Sequence, residues 1–150
     1  MNKSIISRIL SIVVIGFFLN LLWEVLHSLL YDWDKAPLIN NIYVYIPRIV
    51  FFASGFDAFW IFTFIIWNSL FHRGVEWIKV PQKRDYLTFA AIGVITAIFI
   101  ELQAIFFNQW EYNEYMPLVF GIGLTPLIQL ALTSSISLYL VSHLGWKKKL

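Results

Sequence analysis

Residues 9–30 read I-L-S-I-V-V-I-G-F-F-L-N-L-L-W-E-V-L-H-S-L-L. The run holds no Lys or Arg. At about 1.5 Å per helical residue it is long enough to cross the roughly 30 Å hydrocarbon core of a bilayer. Asn20, Glu24 and His27 interrupt it at spacing i, i+4, i+7, which puts all three on one helical face. That face cannot be left to lipid, where an ionisable group is costly, so it has to meet other helices.

Three further stretches are long enough to span, near 49–71, 86–107 and 117–141, and none contains Lys or Arg. The second is rich in β-branched and aromatic residues, but its length and lack of period-two alternation favour helix. A bilayer also forbids an open sheet. The expected fold is all-α: an integral membrane four-helix bundle, one transmembrane domain over residues 1–150.

The composition agrees. Of the 150 residues, 59% are hydrophobic and 13% charged, against about a quarter charged in soluble domains. Mean hydropathy is +0.72. A net charge of +2 is too small and scattered for a nucleic-acid partner. The absence of cysteine excludes disulfides, thiolate metal sites and a cysteine nucleophile. Lys3 and Arg8 before the first apolar run imitate a signal peptide, but no small-residue cleavage site follows, so the run reads as a retained span.

Loop charges orient the bundle. Nine of the 11 cations precede span one, lie between spans two and three, or follow span four. Lys35 and Arg48 fall on the other side, with Asp32, Asp34, Glu111 and Glu114. The positive-inside rule then puts both termini in the cytoplasm, and the expected location is the bacterial inner membrane. Trp77 and Trp146 suit the inner interface; Trp33, Tyr43, Tyr45, Trp110, Tyr112 and Tyr115 suit the outer one. The loop at 31–48, with A-P-L-I-N-N-I-Y-V-Y-I-P, is partly apolar and suits the interface or a fold over the outer mouth. The basic loop 72–85 reads as an inner-leaflet anchor. The tail K-K-K-L has the form of a dilysine retrieval signal and also of a plain stop-transfer cluster.

Glu24, Asp57 and Glu101 share one depth, roughly 9–12 Å below the outer boundary. Thr125 reaches a comparable level, with Gln129 one turn deeper. Small or polar residues align with each acid: Ser54 and Asn68 in span two, Ala97, Ala104 and Asn108 in span three, and Gly121, Thr125, Gln129 and Thr133 in span four. Four such stripes predict a polar pocket in the outer half, with His27 nearer its mouth. Gly121, Gly123 and Pro126 predict a kink that widens it. Asn68, Thr133 and Ser137 are the polar candidates for the inner half.

One ionised acid at mid-membrane costs about 2.5–3.5 kcal/mol, so three cost on the order of 7–10 kcal/mol. The spans supply no Lys or Arg, and Arg48 reaches in only from the rim. The acids therefore hold protons, share them, or hold a cation. Plainer roles stand beside this: Asn20, Asn68 and Gln129 as helix–helix hydrogen bonders, His27 as a structural one, and the phenylalanines as lipid-facing or packing residues.

Two chemistries follow. E-V-L-H at 24–27 is an E-x-x-H pair, and Glu24, His27, Asp57 and Glu101 could together ligate one divalent ion such as zinc or iron. Alternatively, a desolvated carboxylic acid donates a proton to a lipid-soluble substrate, aromatic faces such as Trp23 and Trp60 stabilise the developing cation, and a second carboxylate removes a proton. That route requires no cofactor.

N-x-x-W-E, as Asn20, Trp23 and Glu24, resembles the motif of the membrane-bound terpene cyclases of fungal meroterpenoid pathways. The resemblance implies that Glu24 is the protonating acid. It covers five positions of a family with about seven spans, and that family's second acid has no motif match here. W-E-Y-N-E-Y-M-P-L-V-F-G-I-G-L-T-P-L-I-Q-L, residues 110–130, resembles small uncharacterised multi-pass bacterial membrane proteins and carries no activity.

The expected function is a membrane enzyme of cyclase or isomerase type on an isoprenoid or other lipid-soluble substrate. Glu24 acts as acid, and Asp57 or Glu101 as base. Asn20, Trp23, His27, Trp60, Tyr112, Thr125 and Gln129 are the expected substrate contacts. The alternative is a metal- or proton-binding membrane protein, or a transporter subunit, without catalysis of its own. The expected partners are the lipid bilayer and a hydrophobic small molecule; a homo-oligomer is compatible with either reading, and four short spans would need one to transport.

Overall fold

The computed structural model describes residues 3–35 and 41–143. Residues 36–40 of the first loop, Trp146 and the K-K-K-L tail lie outside the described residues. Helix α1 runs Lys3–His27 and ends in a 3₁₀ turn at Ser28–Leu30. Helix α2 (Ile42–Pro47), a π turn (Arg48–Ser54) and α3 (Gly55–Phe71) form one continuous rod. Helix α4 covers Lys83–Phe106. The strands β1 (Leu118–Val119) and β2 (Ile122–Gly123) make a small hairpin before α5 (Leu124–His143). Four helices are long and apolar enough to cross a membrane: Lys3–Leu30, Ile42–Phe71, Lys83–Phe106 and Leu124–His143. This is the architecture of a multi-pass integral membrane protein.

Three span starts differ from the sequence reading, the first because α1 already begins at Lys3 rather than near 9. The second span starts at Ile42 rather than near 49, because Asn41 caps it: the Asn41 side chain accepts from the Tyr43 backbone N–H at 2.8 Å. Pro47 has no N–H to offer the carbonyl of Tyr43 one turn back, and the backbone directly after it widens into the π turn. Buried positions there step by five, from Ile49 to Ser54, before resuming helical spacing at Asp57.

The fourth span starts at Leu124 rather than 117. Phe120 (φ 52°) and Gly121 (φ 81°) both take left-handed backbone. Two such residues in succession make the tight hairpin that pairs Val119 with Ile122. The kink expected from Gly121, Gly123 and Pro126 is therefore not in a helix. Pro126 lies in the first turn of α5, where its missing N–H has no intrahelical partner to lose. Gly121 is likewise outside the predicted Thr125–Gln129–Thr133 ladder.

Helix α1 packs between α3 and α5, and α5 packs between α1 and α4. Gly93 sets the α4–α5 approach. A Cβ there would lie 2.7 Å from the Ala131 nitrogen and 2.8 Å from its Cα, so only glycine admits this contact between backbones. Helices α3 and α4 touch only briefly. Their contact lies at the end of the bundle carrying the 72–82 turn, the basic end, where Phe64 meets Phe89 edge-on at 6.1 Å. There Ile12, Ile61, Phe64, Phe89 and Leu138 form an apolar core with Trp77 and Ile78 folded beneath.

Trp77 is buried within the protein at this end: it donates to Ser69 Oγ at 3.0 Å and stacks on His72. Arg8 belongs to α1 rather than to a preceding tail, and reaches the Lys79 carbonyl at 3.4 Å.

Candidate functional site

At the opposite, aromatic end, α3 and α4 part and leave a cavity of about 620 Å³. Helix α1 presents a buried row at Ile12, Gly16, Asn20, Glu24 and His27, the i, i+4 ridge that faces α3 and α5. Asn20 donates to the Gly16 carbonyl at 2.9 Å, which turns its Oδ1 towards α5. Gln129 of α5 answers from the other side. Its Nε2 lies 2.6 Å from Glu24 Oε1, 2.8 Å from Asp57 Oδ2 and 3.1 Å from Asn20 Oδ1. Thr133 Oγ1 lies 3.0 Å from Asn20 Oδ1. An amide nitrogen carries only two hydrogens. With the Thr133 hydroxyl serving Asn20, both Gln129 hydrogens are left for Glu24 and Asp57.

Glu24, Asp57, Glu101, His27, Trp60 and Gln129 all line this one cavity. Asn20 lies beneath its floor, fully buried, as a hydrogen-bond partner of Gln129. Among the described residues, Trp23 and Thr125 fall outside the lining. Trp23 stands one residue, about 100°, around α1 from Glu24, and Thr125 donates to Met116 Sδ at 3.3 Å. Tyr112 acts from behind: its hydroxyl donates to Glu101 Oε2, and Trp110 Nε1 adds a second donor at 3.4 Å.

Asn68 and Asn108 belong elsewhere. Asn68 donates to Asp85 Oδ1 at 3.1 Å in a separate buried cluster at the basic end. Asp85 there also meets His72 Nε2 at 2.6 Å and the Gln82 backbone N–H at 2.7 Å. Asn108 is exposed just past the end of α4, with φ 50°.

Residues from the loops complete the cavity. Arg48, on the π turn, donates to the Gln109 carbonyl at 3.2 Å and lies over the Trp110 ring at 5.6 Å. Tyr31 packs against His27, Trp110 and Tyr112, with ring centroids 4.8, 5.9 and 5.7 Å away. A short antiparallel pairing of Tyr31 with Tyr112, extended by Asp32 N–H to the Glu111 carbonyl at 2.9 Å, ties the segment after span one to the segment after span three.

Tyr31 and Trp33 also line a second space of about 630 Å³ on the far side, with Asp32, Tyr45 and Tyr112. Burial, reinforced by Glu101 and Glu24, pushes the Tyr31 hydroxyl well above the usual tyrosine range. Burial and the bond to Glu101 push Tyr112 up as well. Both stand as neutral hydroxyls between the two spaces.

His27 is 4% exposed, and neither ring nitrogen has a hydrogen-bond partner among the described residues. Among those residues, no group of three or more His, Asp or Glu side chains is gathered so as to hold a metal ion. Gln129 draws Glu24 and Asp57 to one side, while Tyr112 and Trp110 hold Glu101 on another.

The sequence reading missed Tyr31, Trp33, Gln109 and Trp110 as lining residues. Tyr31 carried a usable signal, standing four residues after His27 on the same face. Trp110 carried none, since its place depends on how the chain turns after α4. No protein-family model, curated protein or solved structure matches this chain.

Proposed function

We propose that this is an integral membrane enzyme that takes a lipid-soluble substrate into the cavity and works on it by acid–base chemistry. The observation that supports this most is the sharing of one amide, Gln129, by Glu24 and Asp57 in a space walled by Trp60, Phe56 and Leu130. Two carboxyl groups held side by side away from water work with one proton between them. In this reading Glu24 gives that proton to a carbon of a double bond. A C–H bond forms, the π bond breaks, and the adjacent carbon becomes cationic. The face of Trp60 stabilises that charge. Asp57 then takes a proton from a neighbouring carbon, and the electrons of that C–H bond re-form a double bond elsewhere. Atoms and charge balance with no co-reactant, and the product is an isomer. The cyclase-like role of Glu24 implied by N-x-x-W-E fits the same step. The membrane placement that goes with it has both termini in the cytoplasm, the aromatic end outside and the bacterial inner membrane as location.

The test is Glu24→Gln, which keeps shape and hydrogen-bonding capacity but has no proton to give. It is expected to leave folding intact and abolish turnover of lipid-extract isoprenoids scored by mass-neutral isomer formation. Glu111→Gln, in the exposed loop, is the matched control. Full turnover by Glu24→Gln, or collapse of its fold, sinks the proposal.

A further inference from the structure

Two polar groups face the cavity with hydrogen-bonding capacity to spare. A neutral imidazole presents one donor and one acceptor, and His27 uses neither among the described residues while 4% exposed. Arg48 lines the same space half-buried, and among the described residues forms no ion pair with its three carboxylates. A buried donor or acceptor left without a partner costs about 1–3 kcal/mol, so the molecule that belongs here supplies both kinds of partner at this point.

The charges choose among head groups. Arg48 and Glu101 both line the cavity, and Glu101 is hydrogen-bonded to Tyr112 and Trp110. An anionic head would meet Glu101, and a cationic one would meet Arg48. A hydroxyl is neutral, donates once and accepts twice, and so pairs with a His27 ring nitrogen in either tautomer without offending either charge.

The walls give the rest of the ligand. Phe52 and Phe56 of the second span and Phe99 of the third line the cavity and are also exposed on the outer surface, at 64%, 57% and 64%. Where α3 and α4 part, the cavity therefore opens sideways between apolar side chains, at the depth where lipid chains would lie. Glu24 stands three residues before His27, about 4.5 Å along the helix axis. A hydroxyl on His27 puts the reacting carbons within a few bonds of the head.

We infer that the cavity takes a single-chain, neutral alcohol, unsaturated close to its hydroxyl, which enters between α3 and α4 with its hydroxyl on His27 and its chain passing out between Phe56 and Phe99. The inference rests on the reading of this cavity as a substrate site, and deepens it.

The test uses the full chain in phosphatidylcholine nanodiscs and three chain-matched probes: dodecanol, dodecanoate and dodecylamine. Binding is read by fluorescence of the cavity tryptophans Trp33, Trp60 and Trp110. Dodecanol is expected to bind best. His27→Phe, which keeps a ring and removes both nitrogens, is expected to weaken dodecanol about tenfold, while His27→Asn, which keeps a donor and an acceptor, restores it. Ala53→Trp, which fills the sideways opening, is expected to slow association. Equal or tighter binding of dodecanoate or dodecylamine overturns the inference, as does a His27→Phe variant that binds dodecanol like the parent. Neither result touches the proton-donor role, which stands or falls on Glu24→Gln turnover. Loss of binding by all three probes overturns the inference too.

Discussion

Gln129 and Glu24, 105 positions apart in the chain, meet across 2.6 Å. The contact closes the bundle between its first and fourth spans, and the same Gln129 nitrogen reaches Asp57 of the second at 2.8 Å. One amide thus joins three of the four membrane-length helices at a single depth.

Gln129→Leu removes the donor that Glu24 and Asp57 share and leaves buried acceptors bare. Thermal or denaturant unfolding in detergent is expected to show a loss of roughly 1–3 kcal/mol per orphaned group. In combination with Glu24→Leu the loss should be less than the sum of the two, because the second change removes one of the stranded acceptors. Strictly additive losses would show that the three side chains are not coupled.

Gly93→Ala tests the α4–α5 approach. Its new Cβ would stand 2.7 Å from a backbone nitrogen of the neighbouring helix, and a backbone atom cannot rotate away as a side chain can. The two helices have to part, with a cost of about 1–3 kcal/mol or more. Gly74→Ala, where a Cβ meets nothing within 4 Å, is the control. Equal stability of the two variants would contradict the packing described.

Alkaline titration tests the two neutral phenols. Burial raises Tyr31 and Tyr112 above the ordinary tyrosine value of about 10. Their stabilising contribution is complete below that value and is lost as pH rises towards the folded-state values. Ultraviolet tyrosinate absorbance at alkaline pH is expected to rise on unfolding, as Tyr31 and Tyr112 become free to ionise. Tyr31→Phe and Tyr112→Phe should each flatten the alkaline loss of stability. A stability that ignores pH in this range, in parent and variants alike, speaks against buried phenols.

The membrane orientation is open to labelling. The chain has no cysteine of its own, so Asn113→Cys and Gln82→Cys each introduce a single thiol. An impermeant reagent applied to intact cells is expected to reach position 113 and not position 82. Labelling of both from outside would overturn the proposed topology.

How far the site could be read from sequence depended on whether a residue's place is set within its own helix. Asn20, Glu24 and His27 were legible because helical spacing alone puts them on one face, and all three are buried. Gln129 was legible for the same reason. The hairpin at Leu118–Gly123 was not. Tight two-residue turns announce themselves by Asn-Gly or Asp-Gly, whereas V-F-G-I reads as four apolar residues of a span. The early start of span two was hidden by Pro47, which reads as a boundary although the helix continues through it. The aromatic wall was illegible because Trp110 and Tyr112 reach Glu101 through a chain reversal after α4.

The π turn at Arg48–Ser54 has the character of an inserted residue. It spends one residue more on a revolution than an α-helix does. Loss of a single codon there, such as that for Phe51, whose side chain is 70% exposed, would let the turn close to α geometry. The segment before it would keep its direction, because the residue removed is the one the widened turn had absorbed. Arg48 would stay at the rim and Asp57 beside Gln129, about one residue's rise closer together along the axis. The second span therefore carries a point at which one residue can be lost while mouth and floor keep their faces, whereas a deletion elsewhere in the span would turn one against the other.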